Sequence, residues 1–132
     1  MGDTPSEVGS RTELAVAVAL CRAGKRVYTP LFEPHGRVDL LCEDATGYQR
    51  VQCKTARLVG DALFFHTCSN TGKQPRDYRG EVDVFGVYSP ELDQVFIVPV
   101  DVAPVRGCTL RLGPARNGQA KGVHWAKDYL LS

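Results

Sequence analysis

Asp39, Gln52 and Lys54 are the residues whose types and spacing most readily support chemistry. They sit in two segments, Arg37-Val-Asp-Leu-Leu-Cys42 and Gln49-Arg-Val-Gln-Cys-Lys-Thr-Ala56. Both segments are rich in β-branched and apolar residues, and the turn-prone Asp44-Ala-Thr-Gly47 lies between them, so they read as the strands of a hairpin. Strand side chains alternate faces, which puts Arg50, Gln52 and Lys54 on one side and Val51, Cys53 and Thr55 on the other. With Asp39 on the facing strand, one surface gathers a carboxylate, a carboxamide and an ammonium. Such a set can hold a divalent metal beside a phosphate and position a water, as phosphodiester cleavage requires. Each residue also has a plainer reading. Asp39 is an unusual residue for a strand, yet it could simply pair with Arg37 or Lys54. Arg50-Val-Gln-Cys-Lys54 is also the alternation of any half-solvated strand.

Glu13 is an acidic residue with two possible jobs. Ser10-Arg-Thr-Glu13 fits a capping box, in which Glu13 returns to the Ser10 amide. Alternatively, Glu13 points from the first helical turn toward the hairpin. His35, in Glu33-Pro-His-Gly-Arg37, is a candidate base or phosphate contact, and more simply a turn residue. His66-Thr-Cys68 lacks a second ligand pair at zinc spacing. No glycine-rich phosphate loop, Ser/His/Asp signature or Cys/His signature is present, which argues against an NTPase, a serine hydrolase or a thiol enzyme.

These residues need a scaffold. Residues 1–9 are polar and predicted to fray. Leu14, Ala17, Val18 and Cys21 recur at helical spacing, predicting a helix from Ser10 to about Ala23 with Gly24 just past its end. Strands are predicted at 25–31, 37–43, 49–55, 61–68, 82–88, 94–100 and 109–112. Residues 69–80 and 113–122 read as polar loops, and 124–131 as a short C-terminal helix. One helix followed mostly by strands predicts an α/β or α+β class around a mixed sheet, with residues 10–132 as one domain.

The chain has 132 residues, a net charge of +1 and five cysteines with no CxxC pair. Its balance of charge does not select a partner, but its distribution is suggestive. Lys73, Arg76 and Arg79 cluster in one polar segment. Arg106, Arg111, Arg116, Lys121 and Lys127 follow one another with no acidic residue between them. Either set could track a phosphate backbone, or be scattered solvated charge. An odd number of cysteines, the absence of a signal peptide and the absence of a membrane-length apolar run predict a cytoplasmic, soluble protein.

Glu13, Arg37-Val-Asp39 and Val51-Gln-Cys-Lys54-Thr together resemble the PD-(D/E)XK nuclease superfamily. The match is to the branch that includes group I intron-encoded homing endonucleases, where glutamine replaces the acidic residue before the lysine. Gly9-Ser-Arg-Thr-Glu13, Val-Tyr-Thr-Pro30, Arg79-Gly-Glu-Val-Asp83, Phe85-Gly-Val-Tyr88, Phe96-Ile-Val-Pro-Val100, Leu110-Arg-Leu112 and Gly122-Val-His-Trp125 extend the likeness over about residues 9–130. The resemblance implies a restriction-endonuclease-like core with flanking helices and metal-dependent cleavage of DNA. It implies Asp39 as the central ligand of Mg2+, with Mn2+ able to substitute. The Cys53 backbone carbonyl and Glu13, directly or through a water, would assist. Lys54 would orient or activate the attacking water, and Gln52 would stand where the superfamily more often has Asp or Glu. It also implies double-stranded DNA as partner, contacted by Lys73, Arg76, Arg79, Arg106, Arg111, Arg116 and Lys121. A homodimer or homotetramer would cut both strands. A junction resolvase or repair nuclease on the same fold, and a catalytically silent DNA-binding module, are the alternatives.

Overall fold

The computed structural model describes residues 2–32, 36–71, 74–114 and 122–131. Helix α1 (Pro5–Arg22) leads into strands β1 (Arg26–Tyr28), β2 (Leu40–Asp44), β3 (Gly47–Thr55), β4 (Arg57–Val59) and β5 (Ala62–His66). Then come β6 (Cys68–Thr71), β7 (Gln74–Asp77), β8 (Val84–Ser89), β9 (Gln94–Pro99), β10 (Gly107–Arg111) and β11 (His124–Trp125). Short 3-10 turns occupy Val100–Val102 and Ala126–Asp128. The class is α+β, as expected. Among the described residues α1 is the one α-helix, so the flanking helices implied by the resemblance are not found there. The segment predicted as a C-terminal helix is a two-residue strand and a 3-10 turn.

The strands form a five-stranded sheet ordered β1-β2-β3-β8-β9, a four-stranded sheet ordered β11-β10-β5-β4, and the β6–β7 hairpin. Helix α1 covers one face of the larger sheet. Val16 and Leu20 of the helix pack there with Leu40, Cys42, Val51, Val84 and Val95. The smaller sheet covers the opposite face, where Leu63, Phe65, Cys108 and Leu110 meet Phe85, Val87, Phe96 and Val98. Alternation along β8 and β9 divides their residues between these two cores. Gly86 allows the helix its close approach, since a Cβ there would lie 2.6 Å from Val16 Cγ1.

The helix departs from its prediction at both its start and its buried face. It begins at Pro5, with Thr4 as N-cap accepting from the Glu7 amide at 3.2 Å. The residues predicted to fray therefore contain its first turn, and Ser10 lies inside the helix, where the predicted capping box cannot form. Proline just after a capping threonine suits a helix start, because its missing N–H would have no partner there anyway. The buried residues are Thr12, Val16 and Leu20, whereas Leu14 and Val18 are 66% and 46% exposed. The end matches expectation: Gly24 has a φ of 86°, and the Lys25 amide donates to the Leu20 carbonyl. No helix among the described residues is long and apolar enough to cross a membrane.

Candidate active site

Strand β3 organises the site. It pairs antiparallel with β2 on one side and parallel with β8 on the other. Its pairing with β2 ends at Leu40 opposite Val51. The Asp39 amide still donates to the Val51 carbonyl at 2.8 Å. Beyond it the chain turns away, and a side chain replaces the missing strand: Asp39 Oδ2 accepts from the Cys53 amide at 2.9 Å. Residues opposite one another in an antiparallel pair share a face. Leu40 and Val51 share the helix side and Gln52 and Lys54 take the other, while Asp39, just before the paired part of β2, lies near enough to both Glu13 and Lys54 to feel their charges.

Glu13 of α1 faces Asp39 across the gap where β2 leaves β3, and both line a groove of about 550 Å³ with Ser10, Thr29 and Val38. The Asp39 carboxyl is pushed up to about 6. Burial is the main cause. The Cys53 N–H opposes it, the charge and hydrogen bond of Glu13 reinforce it, and the Lys54 charge lowers it again. Since the helix starts at Pro5, Glu13 is free of the capping role, and its carboxylate stands against a like charge. Burial, then Asp39 and Glu13, push the Cys53 thiol far up, so it is inert.

Gln52 adds a further oxygen. Its Oε1 is buried with no hydrogen-bond partner, while its Nε2 lies 3.5 Å from the Cys53 carbonyl. An unpartnered buried acceptor is costly, by about 1–3 kcal/mol. Lys54 Nζ donates to Tyr78 Oη at 3.1 Å. A buried carboxylate beside a second one, together with an orphaned amide oxygen, makes an oxygen-only donor set that fits a hard divalent cation. No group of three or more His, Cys, Asp or Glu side chains comes together among the described residues, so carbonyl and amide oxygens would have to complete such a site.

The basic candidates are dispersed. Arg76 is exposed on β7 and pairs with Glu81 at 2.9 Å. Arg79 Nη2 donates to the Ala103 carbonyl at 2.8 Å. Arg106 is exposed just before β10. Arg111 folds back to donate to the Gly113 and Pro114 carbonyls. Lys73, Arg116, Lys121 and His35 lie outside the described residues. The polar segment 69–80, predicted as a loop, contains the β6–β7 hairpin instead. It delivers Tyr78 to Lys54, a contact that sequence reasoning missed. The available signal was a lone aromatic residue in an otherwise polar stretch.

A nuclease class follows from sequence and fold together. The sequence profile of the PD-(D/E)XK endonuclease family matches residues 4–132, and the chain belongs to that family. Among solved structures it is similar to a bacterial homing endonuclease, I-Ssp6803I. That likeness has a TM-score of 0.70 at 19% identity, covering 98% of this chain and 88% of the other. No curated protein matches the sequence significantly.

Proposed function

We propose that this nuclease is a magnesium-dependent endodeoxyribonuclease, homing-endonuclease-like, acting on double-stranded DNA. The observation that carries this reading is Asp39 held against Glu13, with Gln52 and Lys54 on the adjoining face of β3. Asp39, the Cys53 carbonyl, Gln52 Oε1 and Glu13, directly or through a water, would hold the ion. Bound there, a divalent ion supplies positive charge against the phosphate oxygens and acidifies water. Lys54 would present its ammonium to a non-bridging phosphate oxygen, where negative charge grows as water attacks phosphorus and the P–O bond to the departing sugar oxygen breaks. It also orients that water by hydrogen bonding. Arg76, on the hairpin that touches Lys54 through Tyr78, is the basic residue best placed for the DNA backbone, and Lys73, Arg79, Arg106, Arg111, Arg116 and Lys121 are further contacts.

One chain carries one such site, so cutting both strands calls for a symmetric homodimer or homotetramer. The five cysteines are free thiols, which supports a reducing, cytoplasmic setting. The neutral Gln52 is the observation that favours a silent DNA-binding module. Supercoiled plasmid and a mixed-site DNA library, incubated with magnesium or with chelator and their ends sequenced, separate the two: new ends with magnesium alone support the nuclease, and intact DNA in both contradicts it. A four-way junction assayed beside the linear duplex tests the resolvase alternative.

A further inference from the structure

Arg37, Tyr78 and Lys54 form a stack that the proposed chemistry leaves unexplained. Tyr78 is 4% exposed, and its ring meets Phe85 edge-on with centroids 5.6 Å apart. The Arg37 guanidinium carbon lies 3.7 Å from the Tyr78 ring centroid. Lys54 Nζ lies 4.7 Å from the same centroid while donating to the hydroxyl. Arg37 Nη2 donates to the Arg76 carbonyl of the hairpin at 3.1 Å, and Nη1 is 3.5 Å from Glu81. Its Nε and Nη1 are buried without hydrogen-bond partners, so the aromatic face is a principal partner of this cation.

A lysine side chain left alone samples many rotamers, and a catalytic ammonium misplaced by about 1 Å can lose about a hundredfold in rate. We propose that Tyr78 is a positioning residue that fixes the Lys54 ammonium for cleavage, and that Arg37 clamps Tyr78 in place from the chain leading to Asp39. The hydroxyl sets the direction of Nζ, and the ring, held between Arg37 and Phe85, sets its height above the sheet. Arg37 also bridges the approach to Asp39 and the backbone of the β6–β7 hairpin. The residue on one side of the site and the residue on the other are thereby indexed to the same aromatic ring.

This inference rests on the nuclease reading of the site, and one set of variants separates the two. Tyr78→Phe keeps the ring and removes only the oxygen. The single-turnover cleavage rate on supercoiled plasmid with magnesium should fall by about ten- to a hundredfold. Plasmid affinity in chelator and the thermal midpoint should match the parent. Arg37→Met, which keeps the stem over the ring, should lower the rate less. In a Lys54→Met background, Tyr78→Phe should change the residual rate no further. Parental cleavage by Tyr78→Phe, or a rate loss matched by loss of binding or of the thermal midpoint, overturns the proposal. Parental cleavage by Lys54→Met overturns the reading of the site itself.

Discussion

Asp83 and Asp39 dock against opposite sides of the same strand, and their carboxyls are shifted in opposite directions. Asp83 accepts from the Arg50 amide at 2.7 Å, from Arg50 Nε at 3.0 Å and from Nη2 at 3.0 Å. Arg50 holds its carboxyl below the usual range. Asp39 also accepts one amide of β3, but burial and Glu13 outweigh that amide and the Lys54 charge, and its carboxyl rises to about 6. The first carboxylate is a clamp with its counter-charge built in. The second is buried beside another carboxylate, an environment that perturbs its titration and is common at functional sites.

The largest expected effect breaks the comparison on the Asp39 side. Asp39→Asn keeps the shape and should lower magnesium-dependent cleavage by about a thousandfold, measured as single-turnover rate, with the domain still folded. Glu13→Gln should sharpen it: the like charge disappears, the Asp39 carboxyl returns toward its ordinary value, and the magnesium concentration for half-maximal rate should rise about tenfold. Asp83→Asn should do the reverse. It should cost about 1 kcal/mol in urea unfolding, because a partly exposed pair contributes little, and leave the cleavage rate near parental.

The smallest effect is a difference in pH response. An acid whose folded value is raised binds more protons in the native state than in the unfolded chain between about 4 and 6. Its contribution therefore favours folding at the acidic end of that window and weakens as pH rises through 6. Asp83, with a lowered value, contributes in the opposite sense, its stabilisation disappearing as pH falls below the ordinary carboxylate range. In chelator, the thermal midpoint of Asp39→Asn relative to the parent should rise from pH 4.5 to pH 7. An Asp39→Asn difference that does not change with pH would remove the electrical distinction between the two carboxylates.

The grouping of Asp39, Gln52 and Lys54 was legible because it depends on strand alternation and one short turn. These are local features that tertiary packing reinforced. The helix starts earlier than Ser10-x-x-Glu13 suggests because Thr4-Pro5 supplies a capping threonine and a first-turn proline ahead of it. Leu14 and Val18 recur at helical spacing without facing the core, because an alanine-rich helix has apolar residues on more than one side. Gly86, distant in sequence, selects Val16 by admitting its methyl groups. The β6–β7 hairpin has no hydrophobic alternation to betray it. Tyr78 and Arg37 lie far apart in the chain and share no motif, so only the folded contact reveals that they serve the same lysine. The ion pair of Arg50 with Asp83 was hidden likewise, since Asp83 at the start of an apolar strand resembles any edge residue.

The most direct test is the thermal midpoint of the parent and of Asp39→Asn along a magnesium titration at pH 7, without DNA. An ion that binds the native site raises the midpoint progressively with its concentration. The parent should climb along a saturable curve, and Asp39→Asn should stay flat or climb only at much higher magnesium. Identical curves for the two proteins would contradict a cation site built around Asp39.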